Sequence, residues 1–320
     1  MKIKLSVIVP MYNSEQYIEC CLDSILNLDI PKEIIVVDDG SSDNSYSIVE
    51  QYAKRGLVFL HRQENKGVSE ARNFGLSKAL GSFVAFVDSD DLVIKDEFEK
   101  FFSLFKESDA CMAMGGVNIE FSSDCVENRR AFADLQGKSL NGEKCFTSLM
   151  QTNTFTPLVF CYLFRKSFID SYGLKFCHRM SEDDLWTSEA MCLANNVLIT
   201  SCIHYRYCKH SESITGNNKN SLFRADNHIA VANDLYEFMM CHKLKKQTEV
   251  WLCCKILYIV SIATGIYLEK SYSQFFLDLE MYTNIIRIVT QSEDSYAKRV
   301  GLMFAGRIMK DLRKLLDLSK

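Results

Sequence analysis

Phe83-Val84-Ala85-Phe86-Val87-Asp88-Ser89-Asp90-Asp91-Leu92 is an apolar run that breaks off into three carboxylates. Apolar residues at this density predict a strand buried on both faces of a sheet, with the acids where the strand emerges. Asp88 and Asp90 flank one serine as D-x-D. In an open α/β sheet the ligand crevice lies outside the carboxyl ends of the strands, and carboxylates there can hold a hard divalent cation through oxygen. The same residues also suit a plain acidic turn capping the next helix, because aspartate is common in turns. D-x-D by itself leaves both readings open.

The surrounding chain repeats the pattern. Leu5 to Val9 reads as a buried strand stopped by Pro10 and opening into Met11-Tyr12-Asn13-Ser14, after which Ile18, Cys21, Leu22 and Ile25 recur at helical spacing behind an Asn13 or Ser14 cap. Glu33 to Val37 is a second strand, ending in Asp38-Asp39-Gly40, with Ile48, Val49 and Tyr52 marking a helix closed by Gly56. Val58 to His61 is a third, leading through Asn65-Lys66-Gly67 to a helix over Val68 to Ala79. The opening strand is the fourth, followed by a helix with Phe98, Phe101, Phe102 and Phe105 on one face. Four successive strand–helix units predict a mainly parallel, doubly wound sheet, since parallel neighbours need crossovers. Strand ends at Tyr12, Asp38-Asp39 and Asp88-Asp90 then share one crevice.

Several functions are excluded early. The first strand–helix turn, Pro10-Met11-Tyr12-Asn13, has no G-x-G-x-x-G, and no phosphate-loop lysine follows it, which argues against dinucleotide and P-loop nucleotide binding. A net charge of -4 opposes general nucleic-acid binding. The 48% hydrophobic and 24% charged fractions are those of a globular protein. Thirteen cysteines without C-x-x-C spacing read as reduced core residues of a cytoplasmic protein. The apolar run from Leu5 to Val9 is too short for a signal-peptide core, so no secretion is expected.

Taken in order, Val9-Pro10-Met11-Tyr12-Asn13, Val37-Asp38-Asp39-Gly40-Ser41, Asn65-Lys66-Gly67-Val68-Ser69-Glu70-Ala71-Arg72-Asn73 and Asp88-Ser89-Asp90-Asp91 resemble the motif series of family 2 glycosyltransferases of the GT-A fold. The likeness is dense over the first 110 residues or so and sparser to about residue 220. It implies an α/β fold, a Rossmann-like, mainly parallel sheet with helices on both faces, in residues 1–220, followed by an α-helical C-terminal region in residues 221–320. It also implies roles for individual residues. Pro10 and Tyr12 line the nucleobase pocket, Tyr12 by stacking, and one of Asp38 and Asp39, with Asp39 preferred, accepts from a uracil N–H while the other caps a helix. Gly67 and Arg72 serve the base or diphosphate, a guanidinium fork suiting phosphate oxygens. Asp88 touches the ribose or the metal, Asp90 binds Mn2+ or Mg2+, and Asp91 stands behind them. Magnesium takes only one or two protein carboxylates and completes its shell with substrate phosphates, so a D-x-D suffices.

Further along, Met180-Ser181-Glu182-Asp183-Asp184-Leu185-Trp186 resembles the family's E-D motif. The resemblance makes Asp183 the general base of an inverting displacement, with Glu182 orienting or near the metal and Asp184 as the alternative. Read without the family, Ser181 and Asp184 form an S-x-x-D cap for a helix carrying Leu185 and Trp186. The resemblance further implies a basic, hydroxyl-rich loop over the diphosphate from Ile203 to Thr215, with Arg206, His210, Ser213 and Thr215 as candidates for leaving-group contacts and His210 also as a metal ligand, whereas the residues alone read equally as an exposed loop with scattered histidines. Val117 to Gly142 reads as polar and irregular, and Leu158 to Phe164 as another buried strand.

The helical C-terminal region contains a run from Val250 to Leu268 that approaches membrane-span length, but Lys255 lies inside it. A charge in the middle of a lone span costs several kcal/mol, which points to a buried or interfacial helix. The last stretch alternates Lys and Arg with Val, Leu, Ile and Met and reads equally as a basic interfacial helix or as a packing helix with a solvated face. The expected function is an inverting, metal-dependent transfer of a sugar from a nucleotide sugar, a UDP-sugar foremost, to a glycan or lipid-linked glycan acceptor. The resemblance places it in bacterial surface polysaccharide or capsule assembly, at or near the inner face of the cytoplasmic membrane, with homodimerisation as another use of the C-terminal helices. The competing expectations are a non-catalytic nucleotide-sugar binder, which needs Tyr12 and Asp90 but no base, and a nucleotidyltransferase, which needs a glycine-rich basic loop after the first strand that is missing here.

Overall fold

The computed structural model describes residues 3–122, 125–129, 137–177, 181–209, 221–270 and 277–318. Contacts divide the chain into two compact units: Met1–Gly142, Thr156–His178 and Leu193–Ser213 form the first, and Glu143–Phe155, Arg179–Cys192 and Ile214–Lys320 the second. Residues 143–155 and 179–192 group with the C-terminal helices in the second unit.

In the first unit the four strand–helix repeats form as the hydrophobic runs require. They are β1 (Leu5–Met11) with α1 (Ile18–Leu26), β2 (Lys32–Asp38) with α2 (Ser45–Lys54), β3 (Phe59–Arg62) with α3 (Val68–Lys78), and β4 (Phe83–Phe86), from which a short β5 (Leu92–Val93) leads to α4 (Lys95–Glu107). Every residue of β1 is buried, as expected for a strand covered on both faces. β1 lies parallel to β2, with Ile8 opposite Ile35, and parallel to β4, with Ile8 opposite Phe86. α4 buries the four phenylalanines that predicted it.

The later strands β6 (Met112–Ser122), β7 (Cys125–Arg129), β8 (Ser139–Leu140), β9 (Tyr162–Arg165) and β10 (Val197–Cys208) join the same sheet. Its order is β3-β2-β1-β4-β9-β6-β10-β5, with β7 beside β6 and β8 beside β10. β9 runs antiparallel to both β4 and β6, while β10 is parallel to β6 and antiparallel to β5. The sheet is thus parallel across its first four strands and mixed beyond them. From β1 the chain first builds outward to β2 and β3, then returns to place β4 on the other side of β1. Right-handed crossovers therefore put α1 and α2 on one face and α3 on the other. The strand order reverses between β1 and β4, which is where an open α/β sheet binds ligands.

Two stretches differ from their sequence reading. Val117 to Ser122, read as irregular, continues β6 and pairs antiparallel with β7; residues 123–124 and 130–136 lie outside the described residues. Ile203 to Cys208, read as part of a loop, is the second half of β10 and pairs with β6. In both, polar residues alternate with buried ones such as Val117, Ile119 and Tyr205, so the period of two was present beneath the polar composition. Of Leu158 to Phe164, read as one buried strand, Val159–Cys161 instead forms a buried 3-10 turn and only Tyr162–Arg165 is strand, while α6 (Lys166–Tyr172) stops at Gly173, whose φ of +63° suits a glycine.

The second unit contains α5 (Gly142–Gln151), α7 (Glu182–Leu193), α8 (Ser221–Cys241), α9 (Lys246–Glu269), α10 (Leu279–Thr290) and α11 (Ser295–Leu318). α9 packs against α8, α10 and α11. It is long and apolar enough to cross a membrane, yet 78% of its most apolar window is buried within the protein. A helix hydrophobic all round is either a core helix or a span, and here the core takes it. Lys255, 4% exposed, donates to Asp184 Oδ1 at 2.6 Å and lies 4.7 Å from the centre of the Phe155 ring.

Candidate active site

β1 delivers Pro10 into the core and Tyr12 out of it, with the Tyr12 side chain 49% exposed. The turn beyond is stitched to the end of β2. The Asn13 N–H donates to Ser41 Oγ at 3.0 Å, and Asn13 Oδ1 accepts from the Ser42 N–H at 2.8 Å. Asn13 has φ +48°, a left-handed conformation that asparagine tolerates better than most residues.

The two aspartates after β2 are separated by burial. Asp38 is fully buried, with Oδ1 accepting from the Ser41 N–H at 3.1 Å and Oδ2 lying 3.1 Å from Arg62 Nε. Its carboxylate therefore holds its own turn. Asp39 accepts at Oδ1 from Gln63 Nε2 (2.7 Å) and the Lys66 N–H (2.8 Å), and at Oδ2 from the Gly67 N–H (2.8 Å). Gly67 takes φ +90° at the head of α3, a conformation that favours glycine. Asp39 thus fixes the loop that starts α3, and a carboxylate oxygen such as Oδ2 has lone-pair capacity for a donor beyond the Gly67 N–H.

The acidic run after β4 closes in a tight turn, the Asp91 N–H donating to the Asp88 carbonyl at 3.1 Å. Each of its four residues has a distinct fate. Asp88 Oδ1 accepts from Arg72 Nη2 at 2.8 Å, and Arg72 itself is 3% exposed and lies over the Phe176 ring. Arg72 therefore holds the carboxylate from the α3 side. Ser89 Oγ is 2.7 Å from Ser14 Oγ, which ties the acidic turn directly to the Tyr12 turn. Asp90 is half-buried. Asp91 is fully buried, accepting from the Tyr205 hydroxyl at Oδ2 (2.8 Å) and from the Cys208 N–H at Oδ1 (2.8 Å). Burial, with Asp88 and Asp90 adding to it, holds the Asp91 carboxyl well above the ordinary carboxylate range.

Tyr205, which no motif singled out, is the residue that sequence reasoning missed. Its hydroxyl donates to Asp91 and accepts from the Asp88 N–H at 3.0 Å, while its ring stacks on Phe160 with centroids 4.2 Å apart. The available signal was its place in an alternating strand. A second missed pair is Asn73 and Phe176: the Asn73 side chain donates to the Phe176 carbonyl at 2.8 Å and accepts from its N–H at 2.9 Å, clamping that segment to α3.

Arg206 lies on β10 and pairs with Glu120 at 3.0 Å instead of standing in an open loop. His204, its neighbour, packs against Phe101 and Phe98 and is pushed down to about 4 by burial, so it stays neutral. His210, Ser213 and Thr215 lie outside the described residues. In the second unit Glu182, Asp183 and Asp184 form the first turn of α7. Carboxylates there are favoured by the helix dipole. Glu182 is 8% exposed, and Asp183 is half-buried, its carbonyl accepting from Thr187 Oγ1. Asp184 is committed to Lys255.

Among the described residues no group of three or more His, Cys, Asp or Glu side chains is arranged to enclose a metal. Asp88 and Asp90 offer hard oxygen donors, two at most, which fits a cation that draws the rest of its shell from phosphate and water.

A model of the family described as Glycosyl transferase family 2 matches residues 6–173, more than half of the chain. The chain belongs to that family. It is 31% identical over 218 residues to the uncharacterized glycosyltransferase YibD of Escherichia coli K12, covering 66% of this chain and 63% of that protein. It is also 31% identical over 220 residues to the poly(ribitol-phosphate) beta-N-acetylglucosaminyltransferase TarS of Staphylococcus aureus, covering 66% of this chain and 36% of TarS. The chain thus spans less than two thirds of the length of these curated relatives. Among solved structures, residues 1–349 of S. aureus TarS in complex with UDP-GlcNAc superpose with a TM-score of 0.69 at 20% identity, covering 98% of this chain and 90% of that one. A Pyrobaculum calidifontis mannosyltransferase in complex with GDP-Man and Mn2+ gives a TM-score of 0.56 at 17% identity, covering 99% and 88%. Both likenesses concern the fold, and the coverage extends it to the C-terminal helices of this glycosyltransferase family member.

Proposed function

We propose that the chain is an inverting, divalent-metal-dependent glycosyltransferase that moves a sugar from a nucleotide sugar, a UDP-sugar foremost, to an acceptor hydroxyl in the assembly of a bacterial surface polysaccharide. The observation that carries this reading is the 2.7 Å contact between Ser14 and Ser89, which fastens the turn bearing exposed Tyr12 to the turn bearing Asp88 and Asp90 at the β1/β4 switch point. A base-stacking ring and a pair of carboxylates held together suit a nucleoside and its diphosphate. The names of the relatives, TarS among them, support the polysaccharide setting.

In this reading Tyr12 stacks on the base, and Asp39 accepts from a base N–H at Oδ2, since Asp38 is sealed in its own turn. Asp90, with Asp88 steadied by Arg72, would hold the cation. A divalent cation held by these carboxylates would supply neutralisation of the charge developing on the departing diphosphate. Asp183 takes the proton of the acceptor hydroxyl as its oxygen attacks the anomeric carbon from the side opposite the diphosphate, so the new glycosidic bond forms as the carbon–oxygen bond to phosphate breaks. Glu182, buried beside it in sequence, orients that base.

The test is calorimetric titration of the full chain with UDP, GDP and other nucleoside diphosphates, with and without Mn2+, for wild type and Asp90→Ala. Manganese-dependent binding of one nucleotide that is lost in Asp90→Ala is the expected result. Metal-dependent binding that survives intact in the variant would remove Asp90 from the site.

A further inference from the structure

We propose that the outer face of α11 docks on an anionic lipid surface. Its inner face is fixed in the second unit: Ala297, Gly301, Ala305, Ile308 and Leu315 are buried at helical spacing. At Gly301 even a Cβ would come within 2.7 Å of Val289 on α10 and 3.2 Å of Cys254 on α9. Such close packing sets which side of α11 faces outward. On that side Arg299, Arg307, Lys310, Arg313 and Lys314 are exposed. No exposed carboxylate accompanies them between residues 295 and 315, because Asp311 lies on the inner stripe at 8% exposure.

Large apolar side chains stand among these cations. Leu302 is 41% exposed, Met303 58% and Met309 43%, and on α9 Tyr258 is 48% exposed with its ring 5.3 Å from that of Phe304. An ordinary solvated helix face mixes both signs of charge, and single exposed apolar residues are common. One sign of charge interleaved with exposed leucine and methionine is the pattern of a helix lying in a membrane interface, apolar groups entering the acyl boundary and cations meeting anionic headgroups. The apolar members favour lipid over a soluble polyanion, which would leave them in water. α9, which among the described residues is the helix both long and apolar enough to span a bilayer, is occupied as core, so contact is with the surface.

The test is sedimentation of the full chain with vesicles of phosphatidylcholine alone or mixed with phosphatidylglycerol, at low and high salt. The chain is expected to sediment with the phosphatidylglycerol vesicles and to be released by salt. A basic residue near such a surface is worth about fivefold in partitioning. Neutralising Arg299, Lys310 and Arg313 together to Gln is therefore expected to weaken binding on the order of a hundredfold, with far-ultraviolet circular dichroism and the thermal midpoint unchanged because all three are exposed. Leu302→Ser with Met303→Ser is expected to weaken it further at fixed charge. Equal sedimentation with phosphatidylcholine alone, or none with either vesicle, would overturn the proposal. So would binding to soluble polyphosphate that matches the vesicle binding and ignores Leu302→Ser and Met303→Ser, which would assign the face to a polyanion.

Discussion

Two acidic runs, Asp88-Ser89-Asp90-Asp91 at a strand end and Glu182-Asp183-Asp184 at a helix start, look alike in sequence and end alike in structure. In each, the last aspartate turns into the protein. Asp91 is received by a tyrosine hydroxyl and a backbone N–H, Asp184 by the ammonium of Lys255. The difference lies in the partner. Neutral donors leave the buried Asp91 carboxyl raised by burial first and by the repulsion of Asp88 and Asp90 second, whereas Asp184 has a full opposite charge. Within an acidic motif, then, position relative to the core separates the carboxylates that hold the fold together, Asp91 and Asp184, from Asp90 and Asp183, which stay half-buried outside those contacts.

The sharpest way to break the comparison is to exchange the two kinds of acid. Asp183→Asn is expected to lower turnover on the order of a hundredfold to ten-thousandfold, as removal of a general base does, while calorimetry shows donor affinity nearly unchanged. If turnover instead stays at the wild-type rate, the base is Glu182 or Asp184. Lys255→Met strands Asp184 without its cation and is expected to destabilise the fold by about 3 kcal/mol, since breaking a buried pair leaves an uncompensated charge; urea unfolding would measure it, and a loss below the resolution of that experiment would make the pair ornamental.

α7 supplies a control in Glu189, whose carboxyl is influenced by burial and another acid and, among the described residues, by no ion pair. Burial first, then Asp234, pushes its carboxyl up from 4.5 to about 7. A carboxyl that holds its proton more tightly folded than unfolded contributes stability at low pH, and that contribution is lost as pH rises from about 4.5 through about 7. Glu189→Gln is expected to be the more stable form above that window, on the order of 2 kcal/mol after allowing for partial exposure, and to match wild type at its acid end. Thermal midpoints that track each other across the whole range would refute the assignment. The smallest effect is that of Tyr205→Phe, which leaves the Asp88 N–H and Asp91 Oδ2 each short of a partner. A loss of about 1–2 kcal/mol is expected, together with weaker Mn2+-dependent nucleotide binding. An unchanged metal dependence would reduce Tyr205 to a packing residue.

The first half of the fold was legible because β1, β2 and β4 are dominated by dense apolar runs and each ends in turn residues with their own chemistry, with only β3, Phe59-Leu60-His61-Arg62, half polar. Asp38, Asp39, Asp88 and Asp90 could be placed at strand ends on that basis. The second half was harder for a physical reason: β6 and β10 mix polar and apolar residues, and their alternation is weaker evidence than a run. Calling Ile203 to Cys208 a loop hid Tyr205, whose importance comes from a contact 114 residues away in sequence. The division of labour between Asp38 and Asp39 was equally beyond sequence, because both precede the same glycine and only burial tells them apart. Lys255 was flagged as incompatible with a lone span, but no local pattern names Asp184 as its partner.

That last pair also carries a consequence for the order in which the protein is made. Asp184 leaves the ribosome 71 residues before Lys255, a delay of several seconds at ordinary elongation rates. During that interval the nascent α7 carries its acids without the ammonium that will hold the last of them. The second unit, assembled from three separated stretches of chain, can close only after the final helices emerge. A ribosome stalled near residue 220 would therefore present a finished sheet beside a second unit that still lacks its closing helices.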